Sequence, residues 1–244
     1  MSLIFTSFGH TIRAMYESRL RTNLPAVRDR ITTAAARSGR GEDVILVAVT
    51  KGHPAAAVVA AAAAGLRDCG ENRVDELERK RQELGHPVRW HLIGHLQRNK
   101  VRRALGQFDL IHSVDSPRLA AELSREAERA GLEVELLIQI NASGEASKSG
   151  LDVESAPETI AHVVQLPTLH VRGLMTMAPF TDDEAVLRRT FRRTRELFDA
   201  CARGVPGFDA RHLSMGMSND FEIAVEEGST MVRLGTALFG ERTT

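Results

Sequence analysis

From Val44 onward the chain alternates short β-rich runs with helical segments, and no other feature of its 244 residues restricts the fold as much. The runs predict strands over 44–50, 66–71, 90–95, 109–114, 134–141, 171–178, 211–217 and 231–239. Several are apolar throughout, as expected of strands covered by helices on their outer face. The intervening helices carry their own punctuation. Pro54 opens an alanine-rich helix that stops at Gly65, and Ser116-Pro117 opens another that ends at Gly131. A third spans 73–84, and Thr181-Asp-Asp-Glu starts the longest, which ends near Gly204. Ahead of the first strand, 15–38 reads as a helix broken or kinked at Pro25. Eight uninterrupted units predict an α/β fold, a single (β/α)8 TIM barrel with an additional N-terminal helix. An open doubly wound sheet is the alternative, because closure leaves no local mark in a sequence. Residues 1–14 are expected to be an extension and 15–244 one domain, with chemistry at the carboxyl ends of the strands.

Composition removes several function classes. The 32 basic and 32 acidic residues cancel, whereas a dedicated nucleic-acid binder carries a basic excess. The longest apolar run, Pro54–Gly65, is too short to cross a membrane, and residues 1–13 lack the basic start and cleavage site of a signal peptide. Cys69 and Cys201 have no metal spacing and suit a reducing, cytoplasmic setting.

Three groups of residues could carry chemistry. Lys51 ends the first strand in AVTKGHP, where partial desolvation would lower an amine's pKa and ready it to attack an aldehyde. Taken alone, a strand-end lysine pointing to solvent is the simpler reading. HLSMGMSND and STMVRLGTALFG bring small and hydroxyl residues to the last two strand ends: Ser214, Gly216, Ser218, Gly235 and Thr236. These could cradle a phosphate, or Ser218 could cap the helix that follows. Arg233 alternates onto the face of Gly235 and is either a ligand group or half of a structural salt bridge. The third group, Asn72, His91, His95, Asn141 and Lys148, lies near other strand ends. His91 and His95 are four apart in a strand, too far for a shared metal, and no metal site is expected.

Taken together, AVTKGHP, GENRVDEL, WHLIGHLQRNK, HSVDS, QINASGEASKSGL, RGLMTMAP, LSMGMSND and STMVRLGTALFGER resemble, in order and over nearly the whole chain, the pyridoxal phosphate homeostasis protein (YggS/PROSC) family. That family is related to the amino-terminal barrel of alanine racemase. The resemblance implies that Lys51 carries pyridoxal 5′-phosphate (PLP) as a Schiff base. It further implies that Ser218, Gly235 and Thr236 bind its phosphate, and that Arg233 faces its ring nitrogen. Asn72 and Met177 fall on segments that line the cofactor. Gly52-His53 departs from the pair that many relatives carry after the lysine.

An arginine can only donate hydrogen bonds, so the ring nitrogen facing it stays unprotonated and is a weaker electron sink. Alanine racemases add a second domain and a catalytic tyrosine, whereas here the one tyrosine, Tyr16, lies in the leading helix. The expected function is therefore PLP homeostasis, buffering and delivering the cofactor to apo-enzymes without catalysis of its own. The alternative is a single-domain amino-acid racemase. A monomer is expected, with no nucleic acid or membrane as partner.

Overall fold

A computed structural model describes residues 2–39, 43–145 and 149–241, with the side chains of 2–10 left aside. Nine parallel strands make one sheet: β1 (Ile45–Val49), β2 (Asp68–Glu71), β3 (Arg89–Leu92), β4 (Leu110–Val114), β5 (Val134–Asn141), β6 (Leu151–Asp152), β7 (Leu169–Thr176), β8 (His212–Ser214) and β9 (Met231–Leu234). β1 pairs with both β2 and β9, and β4 pairs with β5, so eight strands close into a TIM barrel. The ninth, β6, is a two-residue addition on the edge of β5 that the sequence did not announce. Helices surround the barrel: α1 (Ser2–Ser38), α2 (Ala55–Ala63), α3 (Val74–Leu84), α4 (Val101–Ala104), α5 (Pro117–Ala130), α6 (Ala156–Val163), α7 (Glu184–Gly204), α8 (Phe221–Glu226) and α9 (Thr236–Phe239).

The caps read from sequence do what their chemistry predicts. The Ser116 hydroxyl accepts from the Leu119 amide at the start of α5, and the Asp183 carboxylate accepts from Ala185 and Val186 at the start of α7. Three expectations about the leading helix need correction. α1, with 37 residues, is longer than α7, with 21, and it begins at Ser2 instead of residue 15. It also runs through Pro25 without a break. Tyr16, Leu20, Leu24, Val27 and Ile31 form an unbroken helical stripe, all buried, while Pro25 sits on the exposed side. An internal proline costs about 3 kcal/mol. Burying five large apolar side chains at about 1.5–3 kcal/mol each outweighs that.

The last strand is also shorter than expected. It ends at Leu234, and 236–239 form α9 instead of continuing the strand. Leu238 and Phe239 thereby turn into the space beneath α1, where both are fully buried. α1 in turn satisfies the short helix's carbonyls: Arg19 donates to Phe239 O at 2.6 Å and Asn23 to Leu238 O at 3.0 Å. Gly173 permits the closest strand approach, since a Cβ there would lie 1.8 Å from His212 O. Its φ of 144° suits glycine alone.

Alternation inside the barrel decides what faces its mouth. Val47, Leu110, Leu137, Met175 and Met231 form an apolar floor. Residues two positions further along a strand share the same face, which turns Val49, Gln139, Met177 and Arg233 inward above that floor.

Candidate functional site

A cavity of about 600 Å³ opens at the carboxyl ends of the strands. Lys51, Asn72, Met177, Ser218, Arg233, Gly235 and Thr236 all line it, so residues spread over most of the chain meet in one place. His91 does not join them, being fully buried in the barrel interior. Asn141 is engaged elsewhere, donating to Glu145 O at 2.9 Å. Lys148 lies outside the described residues. His95 does reach the cavity, from an exposed position where its Nδ1 is 3.1 Å from Asp115. His91 and His95 therefore serve different partners, and among the described residues no cluster suits a metal.

The backbone on either side of Lys51 is fixed by one buried ammonium. Lys80, only 5% exposed, places its three donors on Thr50 O at 2.8 Å, Glu71 Oε1 at 2.6 Å and Glu76 Oε1 at 3.0 Å. Glu76 Oε1 also accepts from the Gly52 amide at 2.6 Å, and the Thr50 hydroxyl donates to Glu71 at 2.6 Å. Thr50 and Gly52 are the residues flanking Lys51, so the peptides before and after it are both held. Burial raises the Glu71 carboxyl above the usual carboxylate range, although Lys80 opposes it. Burial also pushes Glu76 upward, but hydrogen bonds from Lys80 and Gly52 bring it below its ordinary value.

Amine chemistry has few places to occur in this chain. Only four of its 32 basic residues are lysines: Lys51, Lys80, Lys100 and Lys148. Of the described ones, Lys80 is saturated by its three acceptors and Lys100 is paired with Asp75, leaving Lys51 as the lysine at the cavity. Arginine does not substitute for it, because a guanidinium stays protonated. This scarcity was readable in the sequence, yet it gains meaning only once the structure shows which amine reaches the cavity.

On the cavity wall, Arg233 is 4% exposed, donating to Ser214 Oγ at 2.6 Å and to Thr176 O at 2.9 Å. No carboxylate among the described residues lies within ion-pairing distance of it, so the structural salt bridge weighed from sequence is not formed. Burial lowers its pKa to about 10, with Asp220 acting in the opposite direction, and it remains a cation at neutral pH. Ser218 is not the cap of α8 either. Its hydroxyl accepts from Ala237 N at 3.2 Å, tying the loop after β8 to the turn of α9. Asp220 holds that loop by accepting from Met217 N.

Sequence reasoning missed the role of Tyr16 and His53. Tyr16, on α1, meets His53 Nδ1 at 2.9 Å, and His53 lines the cavity two residues after Lys51. Burial raises the Tyr16 pKa despite nearby Arg19, so its hydroxyl keeps its proton. No local pattern could have joined a leading helix to the first loop. Phe180 stands at the cavity rim and is 90% exposed. The two cysteines are buried, and burial pushes Cys69 up to about 12, so neither serves as a nucleophile.

The donor set suits one kind of ligand: an amine for a carbonyl carbon, a donor-only cation for a ring acceptor, and a glycine-hydroxyl segment for an anionic group. Comparison with known proteins points the same way. The family model "Alanine racemase, N-terminal domain" matches residues 22–243. The chain is 45% identical to the pyridoxal phosphate homeostasis protein of Pseudomonas aeruginosa, covering 92% of this chain and 96% of that one. It is 41% identical to the protein of the same name from Aquifex aeolicus, covering 90% and 96%. The solved structure of PipY from Synechococcus elongatus with PLP bound superposes with a TM-score of 0.76 at 40% identity, covering 87% of this chain and 99% of that one.

Proposed function

The chain belongs to the alanine racemase N-terminal domain family and, within it, to the pyridoxal phosphate homeostasis proteins; from that premise we propose that it stores PLP on Lys51 and releases it to apo-enzymes. The observation that carries this reading is the position of Lys51 as the lysine of the cavity, with Arg233 on the same wall system. Bound PLP supplies an aldehyde that an amine can hold reversibly. The Lys51 Nζ adds to the aldehyde carbon and one water leaves, its two hydrogens coming from the amine. Ser218, Gly235 and Thr236 bind the phosphate, Arg233 donates to the ring nitrogen, and Asn72 and Met177 flank the ring. Storage also keeps a reactive aldehyde away from other amines. The protein acts as a monomer in the cytoplasm, and no helix among the described residues is long and apolar enough to cross a membrane.

Arg233 favours storage over turnover, because a donor-only partner leaves the ring nitrogen unprotonated and the ring a poor electron sink. A second reading, an amino-acid racemase, draws on His95 with Asp115 and His53 with Tyr16, two partnered histidines on the same cavity. Incubating the loaded protein with L-amino acids in heavy water separates the two. Storage predicts α-deuteration no faster than with free cofactor. Fast, Lys51-dependent exchange with inversion would establish the racemase instead.

Gly94 offers an independent check on Asn72. A Cβ at Gly94 would lie 2.4 Å from Asn72 O and 2.7 Å from its Cα, so Gly94→Ala must displace the Asn72 backbone. The substitution is expected to cost about 1–3 kcal/mol of stability. It should weaken PLP binding by about tenfold, as a spectroscopic titration would read. Unchanged affinity in a variant that shows the stability loss would remove Asn72 from the cofactor's contacts.

A further inference from the structure

A line of polar side chains crosses the barrel interior beneath the cavity. At the amino-terminal end of β2, Asp68 Oδ1 stands 2.9 Å from His91 Nε2. His91 Nδ1 is 2.9 Å from His112 Nε2, and His112 Nδ1 is 3.1 Å from Ser214 Oγ. Ser214 Oγ then accepts from Arg233 at 2.6 Å. His91, His112 and Ser214 are fully buried and Arg233 nearly so, which leaves their polar atoms to satisfy one another.

With both histidine rings neutral, the two ends determine every proton between them. Arg233 can only donate and an ionised Asp68 can only accept. Burial pushes the Asp68 carboxyl upward, but the hydrogen bond from His91 Nε2 and the nearby Arg89 cation hold it below its ordinary value. His91 must therefore carry its proton on Nε2, and a neutral His91 accepts at Nδ1. His112 then donates from Nε2 and accepts at Nδ1, and the Ser214 hydroxyl donates to it. Burial, with the Arg233 cation nearby, holds the His112 pKa well below the usual value, so that ring stays neutral. With both rings neutral, no other arrangement satisfies all four contacts.

We propose that Asp68, His91, His112 and Ser214 are positioning residues, a hydrogen-bond line of fixed polarity that holds the Arg233 guanidinium with its remaining donors toward the cavity. The proposal rests on the reading that Arg233 faces the ring nitrogen, and it adds where that arginine's orientation comes from. Thr176 O fixes the second guanidinium nitrogen at 2.9 Å, so the line and this carbonyl together remove its rotational freedom. The anchor is a carboxylate at the opposite end of the barrel, a distance no single side chain spans.

Two measurements decide it. Long-range proton–nitrogen NMR of histidine-labelled, cofactor-free protein should show both His91 and His112 protonated on Nε2 at neutral pH. Absorbance of the loaded protein is then followed against pH in Ser214→Ala, His112→Leu, Asp68→Asn and Arg233→Glu. Ser214→Ala and His112→Leu should move the titration midpoint by about one unit, a tenfold change in proton affinity, with one cofactor still trapped per chain. Asp68→Asn keeps an accepting oxygen and should retain the wild-type profile. An Nδ1-protonated ring in the cofactor-free protein overturns the proposal. So do profiles of Ser214→Ala and His112→Leu that superimpose on wild type while Arg233→Glu shifts. If Arg233→Glu itself leaves the profile unchanged, its ring-nitrogen role fails, and the NMR of wild-type protein still decides the line by itself.

Discussion

Lys51→Ala is expected to abolish borohydride-trappable PLP while leaving the fold intact. The side chain is only partly buried and ends at the cavity, so its truncation removes little packing. Substitutions of that kind change stability by about 0.5 kcal/mol or less. The loss of trapping should be complete, because among the described residues no other lysine can replace it. Lys80 cannot leave its three acceptors without stranding two carboxylates, and Lys100 is committed to Asp75. Mass spectrometry of the reduced protein reads the result directly: one adduct on the Lys51 peptide in wild type and none in the variant. An adduct of equal yield on another peptide would refute the assignment. Residual PLP that is bound but not trapped would show instead that Arg233 and the Ser218–Thr236 segment retain the cofactor without the covalent link.

The parts of the molecule that could be read from sequence are those whose cause is local. Strand runs such as 134–141, the Ser116 and Asp183 caps, and Lys51 at a strand end each depend on a few adjacent residues. The seven residues assigned by resemblance also meet around one cavity. What escaped depends on contacts between distant segments. Pro25 signals a break, yet a buried stripe that continues past it outweighs that signal. The strand expected over 231–239 ends early because Leu238 and Phe239 find cover under α1. Ser218 has the composition of a cap, but the loop geometry gives its hydroxyl to Ala237. The polar line from Asp68 to Arg233 was equally illegible. Its members alternate inward on five different strands, and only barrel closure brings them within hydrogen-bonding distance.

The largest stability effect is expected at Lys80, a residue outside the cavity. Lys80→Met fills similar volume but leaves Glu71 and Glu76 without their shared cation, and Glu71 Oε2 already has no hydrogen-bond partner. Removing one partner of a buried ion pair costs about 3–5 kcal/mol, because the remaining charge stays desolvated. For a chain of this length that corresponds to a fall of roughly 6–20 °C in Tm. The pH dependence identifies the cause. The Glu71 pKa is raised in the folded state, so in the window above its unfolded value the native protein binds more protons than the unfolded chain does. Stability therefore falls as pH rises through that window, and is recovered as pH falls. Without Lys80 the carboxyl rises further and the window widens, so the deficit of Lys80→Met should shrink on mild acidification. Glu71→Gln in the same background should restore part of the loss at neutral pH. Denaturant unfolding of the three proteins across pH tests this. A deficit below about 1 kcal/mol, or one that grows toward acid, would mean that the buried trio does not hold Thr50 and Gly52 about Lys51.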